Sequence, residues 1–179
     1  MKKYILLASL LLALGTARVA AQTANYTFDK NGDFYNYKTY KWVTIQNAQH
    51  LDELTEGQLL GTLNVQLAKK GLTESQSDQV DLYIGYQIAR GNAKHLNQYN
   101  MGASPGSAAG ATSGSAGATF ITVHSGELVL DMYDSAKKQL VWRGVVSNAI
   151  DADAKPDKKQ KQMDKAIEKL LKGYPPQRK

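Results

Sequence analysis

Few residues of this sequence have the type and spacing that chemistry needs. Asp131 and Asp134 stand three apart near the end of an alternating segment, and paired carboxylates can divide acid and base work. Residues three apart in a strand point to opposite faces, however. Asp131 is therefore expected to pair with Arg143 across a hairpin, and Asp134 to form the turn. His124 precedes Ser125-Gly126 and shares a face with Phe120; its imidazole would carry protons near neutral pH if carboxylates stood close. Asp29-x-Asn31-Gly32-Asp33 has the first ligands of a calcium loop, without the later bidentate Glu or the flanking helices. Asp151, Asp153 and Asp157 share that shortfall. Ser113-Gly114-Ser115-Ala116-Gly117 lacks the first glycine of a nucleophile elbow and lies in low-complexity sequence. With 0 Cys and 3 His, thiol catalysis, zinc ribbons and iron–sulfur clusters are excluded. The expectation is no catalytic residue, no metal and no cofactor.

The elements that would position these groups follow from periodicity. Residues 22–36 hold a turn-forming cluster, and Tyr37 to Ile45 reads as a first strand. Between Asp52 and Lys70, the residues Leu59, Leu60, Leu63, Leu67 and Ala68 mark one helical face, which Gly71 stops. Gly57 and Gly61 would let that helix lie close to a sheet. Asp81 to Arg90 alternates as a half-buried strand. Residues 102–118 are almost wholly Gly, Ala, Ser and Thr, and are expected to form a flexible loop. Thr119 to Ser125, Glu127 to Tyr133 and Leu140 to Ile150 read as three more strands. The last two form a hairpin in which Met132 faces Trp142 and Asp131 faces Arg143, because only an even register keeps both apolar sets on one side. Asp157 is placed to cap a final helix, in which Met163, Ala166, Ile167, Leu170, Leu171 and Tyr174 make one stripe. The order is β-α-β-β-β-β-α. It gives an α+β fold: an antiparallel-rich sheet of about five strands, with two helices packed on one face.

Two surfaces stand out on that frame. On the sheet's outer face, Tyr83, Val129, Tyr133, Val141 and Val145 point away from the helices, with Asp131, Arg143 and Gln87 as the polar members. A solvated antiparallel face normally carries more polar residues, so a cover or a partner is implied. Tyr83, Asp131, Tyr133, Val141 and Arg143 are the expected binding set. The second surface is the lysine face of the last helix (158, 159, 161, 165, 169 and 172), suited to acidic lipid or polysaccharide.

Met1-Lys2-Lys3, the apolar run Tyr4 to Gly15 and the small residues Val19-Ala20-Ala21 form a secretory signal peptide over residues 1–21. Its apolar run is well short of the roughly 20 residues that span a bilayer. Residues 22–179 are then a single exported domain, with no transmembrane span, in the periplasm or cell envelope. Removing Lys2, Lys3 and Arg18 leaves 19 basic against 16 acidic residues, so the balance falls from +6 to +3. Nucleic-acid binding loses its compositional support.

Asp33-Phe34-Tyr35-Asn36-Tyr37-Lys38-Thr39-Tyr40-Lys41-Trp42 resembles the opening of the DUF4136 family, exported bacterial envelope proteins of undefined function, many of them lipoproteins. The "LAKKGL" helix ending before Val80-Asp81-Leu82 is similar to that family as well. So are Gly126 to Asp131, Leu140 to Gly144 and the closing Ala166-Ile167 to Tyr174-Pro175-Pro176. The chain departs from it in lacking a lipid-attachment Cys after the leader and in carrying the Gly/Ala/Ser loop. The resemblance implies an α+β envelope domain and brings no catalytic residues.

The expected function is a non-enzymatic envelope module that binds a protein or an apolar ligand through the outer sheet face. The alternatives are an envelope hydrolase or transferase using His124 and nearby carboxylates, and an electrostatic surface-associating protein using the lysine face.

Overall fold

The first helix starts and stops by hydrogen bonding. In the computed structural model, α1 spans Glu53–Lys69, and the Asp52 carboxylate accepts the Thr55 backbone N–H at 3.0 Å. Glu53 and Glu56 in the first turn and Lys69 in the last oppose the helix dipole. The end is a Schellman motif: Leu72 N–H bonds to the Leu67 carbonyl at 3.1 Å, and Gly71 N–H to the Ala68 carbonyl at 2.9 Å. Gly71 takes φ +83°, which a side chain would oppose. Leu59, Leu63 and Leu67 form the buried face. Gly57 and Gly61 do not bring α1 close to the sheet. A Cβ at either would meet nothing within 4 Å, so both face open space.

The structure describes residues 22–45, 48, 51–88, 93–96, 120–123, 127–149 and 154–177. Its strands are β1 Ala24–Phe28, β2 Thr39–Trp42, β3 Thr73–Glu74, β4 Leu82–Ile88, β5 Ala93–Leu96, β6 Phe120–Val123, β7 Leu128–Asp134 and β8 Gln139–Val146. Six of them make one sheet in the order β1-β8-β7-β4-β2-β3. The pairs β2–β3 and β2–β4 are parallel; β4–β7, β7–β8 and β1–β8 are antiparallel. With α1 and a second helix, α2 (Pro156–Leu171), the fold is α+β, as expected. The core holds Leu59, Leu63 and Leu67 of α1, Met163, Ile167 and Leu170 of α2, and Leu82, Ile84, Leu130, Met132 and Trp142 of the sheet.

Several local expectations need correcting. The segment before the first expected strand supplies β1, an edge strand on β8. Strand β6 does not join the main sheet; it pairs with β5 in a hairpin of its own. Asp157 does not cap α2. Lys155 is the N-cap without a side-chain bond, Pro156 opens the helix, and Asp157 sits in the first turn, where its charge still suits the dipole. Gln22 anchors the start of β1, its side-chain amide donating to the carbonyls of Asn148 and Gln162, each at 3.0 Å.

The β7–β8 register is the expected one at its centre. Asp131 faces Arg143 and Met132 faces Trp142. A bulge between Met132 and Tyr133 then sets Tyr133 opposite Leu140. One extra residue on β8 reverses its faces on the turn side. Val141, expected on the outer face, belongs instead to the core cluster with Met132 and Trp142. The turn closes with Lys138 at φ 56°.

Candidate functional site

Cross-strand pairing builds the outer face row by row. Thr27, Arg143, Asp131 and Gly85 stand side by side across β1, β8, β7 and β4, with Tyr83, Tyr133 and Leu140 in the row nearer the turn. Arg143 grips Asp131 bidentately, Nε to Oδ1 at 2.5 Å and Nη2 to Oδ2 at 2.8 Å. This confirms their pairing. The face is not open, however. Asp131 is 0% exposed, Arg143 4%, Tyr133 8%, and Val129 and Gln87 are also buried. Tyr83 is half-buried, and the Lys138 ammonium sits 4.7 Å over its ring. All seven residues of β7 are buried, so this strand is enclosed on both faces.

The other carboxylates are held by fixed donors. Asp134 accepts the backbone N–H groups of Ala136 (3.0 Å) and Lys137 (2.8 Å) and the Tyr37 hydroxyl (2.8 Å). Asp81 accepts the N–H groups of Lys38 and Thr39, both at 2.8 Å, and the Thr39 hydroxyl at 2.9 Å. Partial burial raises both acids, but these donors outweigh it and hold both below the usual carboxylate range. Native Asp81 and Asp134 therefore bind fewer protons than the unfolded chain just below pH 4. Their stabilisation is full above that pH and is lost as pH falls through the depressed native values. We expect the denaturation midpoint to fall below about pH 4 and that acid limb to flatten in Asp81→Asn and Asp134→Asn. An unchanged limb in both variants would remove this assignment.

The remaining sequence candidates do not converge. Asp29 and Asp33 make local turns, Asp29 Oδ1 accepting Asn31 N–H at 2.9 Å and Asp33 Oδ2 accepting the Asn36 amide at 2.7 Å. Among the described residues no group of three or more His, Cys, Asp or Glu is placed to hold a metal. His124, the residues 102–118, Asp151 and Asp153 lie outside the described residues, as do residues 1–21. Lys158, Lys161, Lys165 and Lys169 of α2 and Lys172 at its C-cap are exposed, and Lys159 is half-buried. Lys169 also donates to the Gln22 carbonyl. Among the described residues no helix is long and apolar enough to cross a membrane.

A cleft that pattern alone did not disclose opens where β2 and β4 end and α1 begins. Trp42, Val43, Thr44, Ile45, Glu56 and Tyr86 are among its walls, which also include Ala48 and Leu60, and it encloses about 130 Å³. Parallel pairing puts Trp42 beside Ile84, and Tyr86 lies two residues further along the same face. The two rings meet edge to face at 6.5 Å, and Tyr40 packs on Trp42 in the same way at 5.6 Å. Asn64 fixes the indole, its Oδ1 accepting Trp42 Nε1–H at 3.0 Å and Tyr40 O–H at 2.8 Å. Glu74 in turn takes the Asn64 amide at 2.8 Å. Tyr86 O–H donates to Glu56. Burial, followed by that carboxylate, raises the Tyr86 phenol well above its ordinary value. The result is an apolar, aromatic-walled recess with one carboxylate at its side. Its size and walls suit a ring or a branched apolar group.

A family described as "Domain of unknown function (DUF4136)" matches residues 24–176. A crystal structure of a DUF4136 family protein from Bacteroides thetaiotaomicron superposes with a TM-score of 0.53 at 14% identity, covering 86% of this chain and 94% of that one. At that identity the likeness is one of fold. A PDZ domain protein from Parabacteroides distasonis is 15% identical over 88% of this chain and 37% of its own, with a TM-score of 0.47. The PelC dodecamer from Paraburkholderia phytofirmans is 10% identical over 84% of this chain and 95% of that one, at 0.46. No curated protein matches the sequence.

Proposed function

The chain belongs to the DUF4136 family, and for this member we propose a non-enzymatic role as an accessory binding module of the cell envelope. The leader Met1 to Ala21 supports export. The contact surface we assign is the cleft between Trp42, Glu56, Leu60 and Tyr86, which accepts a small apolar or aromatic group of a ligand or of a partner protein. One observation carries this assignment: the cleft is walled by aromatic and aliphatic side chains, and Asn64 sets the orientation of Trp42 in advance. A preset wall binds without an ordering cost at that residue. The outer face was the expected contact surface. With Asp131, Tyr133 and Arg143 buried in the folded chain, we assign that face to stability and register. The enzymatic alternative draws no support from Asp81, Asp131 and Asp134, which accept hydrogen bonds from the Lys38 and Lys137 backbone and from Arg143.

In-cell photo-crosslinking from position 60, with position 165 on the lysine face as control, tests this role. A discrete adduct from position 60 that disappears in Trp42→Ala is the expected result. Adducts from 165 alone would move the contact to the lysine face and overturn the assignment.

A further inference from the structure

The two edges of the main sheet are built differently. β3, at one edge, is only two residues long and carries Glu74. Short length and charge are the usual means of preventing a further strand from adding. β1, at the other edge, has five residues, Ala-Asn-Tyr-Thr-Phe, with no charge, no proline and no bulge. Tyr26 and Phe28 are 49% and 39% exposed and stack at 6.3 Å. Asn25 and Thr27 are also exposed.

The hydrogen-bond phase shows which backbone groups the edge offers. Ser147 N–H bonds to the Thr23 carbonyl at 2.9 Å, and Asp29 N–H to the Val141 carbonyl at 2.8 Å. Residues 23, 25, 27 and 29 therefore turn their backbone groups toward β8. Ala24, Tyr26 and Phe28 turn theirs outward, and no hydrogen bond among the described residues takes them up.

We infer that β1 is a self-association edge, and that a second copy of this chain pairs with it antiparallel about a two-fold axis at Tyr26. In that register Ala24 faces Phe28 of the second copy, a small residue against a large one. Asn25 faces Thr27, polar against polar, and Tyr26 faces itself. No like charges meet, and a two-fold pairing of identical strands closes on itself. The three outward residues on each side form about six hydrogen bonds, and the sheet runs continuously through both copies. The aromatic stripe of Tyr26 and Phe28 lines the helix side of the junction.

Sedimentation equilibrium of the purified protein measures this first. The expected mass is twice that of the monomer at concentrations up to about 100 μM. Ala24→Pro removes an outward N–H without breaking a bond to β8, a substitution that edge strands tolerate. It is expected to weaken association about tenfold or more. The chain has no cysteine, so a single introduced thiol reports geometry without interference. Tyr26→Cys should oxidise to a disulfide-linked dimer, because residue 26 faces itself at a separation a disulfide spans. Asn25→Cys, one residue away, should not, because it faces Thr27. A monomer throughout, a dimer indifferent to Ala24→Pro, or equal cross-linking from positions 25 and 26 would each overturn the inference. Asn25 is exposed and Ala24 is half-buried against the core, and a wild-type circular dichroism spectrum confirms that each variant folds.

Discussion

Arg143→Met is expected to lose about 3–5 kcal/mol of folding stability, the cost of leaving a buried charge without its partner. Asp131 is wholly buried, and its two oxygens receive the two guanidinium donors. Methionine fills much of the arginine's volume and supplies neither donor. The buried carboxylate then loses two charge-assisted hydrogen bonds, which costs free energy. Domains of this size have only about 5–15 kcal/mol in total, so the variant should unfold at a much lower urea concentration. Asp131→Leu combined with Arg143→Met should recover most of that loss, since an apolar pair of similar volume replaces a buried ion pair at little net cost. Urea midpoints of the wild type, the single variant and the double variant measure this. A single variant within 1 kcal/mol of wild type, or a double variant no better than the single, would show that the pair does not hold this face together.

The second large effect belongs to the opposite face of the same strand. Trp142 is 0% exposed, packs edge to face on Tyr174 at 5.8 Å and joins Leu170 and Met132 in the core. Gly144 makes room for it: a Cβ there would press on the indole and stand 2.6 Å from Leu170 Cδ1. Trp142→Ala should cost about 3–5 kcal/mol, through lost burial and the cavity that remains. Trp142→Phe should cost less than half as much. Among the described residues no acceptor meets the buried indole Nε1–H, so phenylalanine removes an unsatisfied donor while keeping a ring. Equal losses for Ala and Phe would mean that ring packing does not set the stability here.

The sequence was most informative where alternation was strict. β7 and β8 read as a hairpin with Asp131 against Arg143 because any odd register would split the apolar sets between two faces, and this is the pairing found. The helix ends were legible at Gly71, where a positive φ needs glycine. Other features rest on contacts that spacing does not encode. β1 is short, adjoins a turn cluster and finds its partner more than a hundred residues later, with Ala24 on Val146. The bulge beside Tyr133 leaves no mark on the local pattern, and it moves Val141 into the core. The apolar outer face already implied a cover or a partner, and most of it is enclosed within the chain itself. The cleft depends on parallel pairing of β2 with β4 and on the start of α1. Trp42, Glu56 and Tyr86 therefore come together from three separate segments, none of which marks a site by its own spacing.

The cleft can be tested directly through the two indole N–H groups, which give separate signals in a proton–nitrogen NMR spectrum. Trp42 lines the cleft with its N–H bonded to Asn64, whereas Trp142 is enclosed in the core and serves as an internal reference. Titrations with benzyl alcohol, octanoate and N-acetylglucosamine would sample aromatic, aliphatic and saccharide groups. At least one of them should move the Trp42 signal to saturation and leave Trp142 unmoved, and Leu60→Arg should abolish the shift. A Trp42 signal that stays fixed with all three probes, or that moves equally in Leu60→Arg, would contradict a binding role for this cleft.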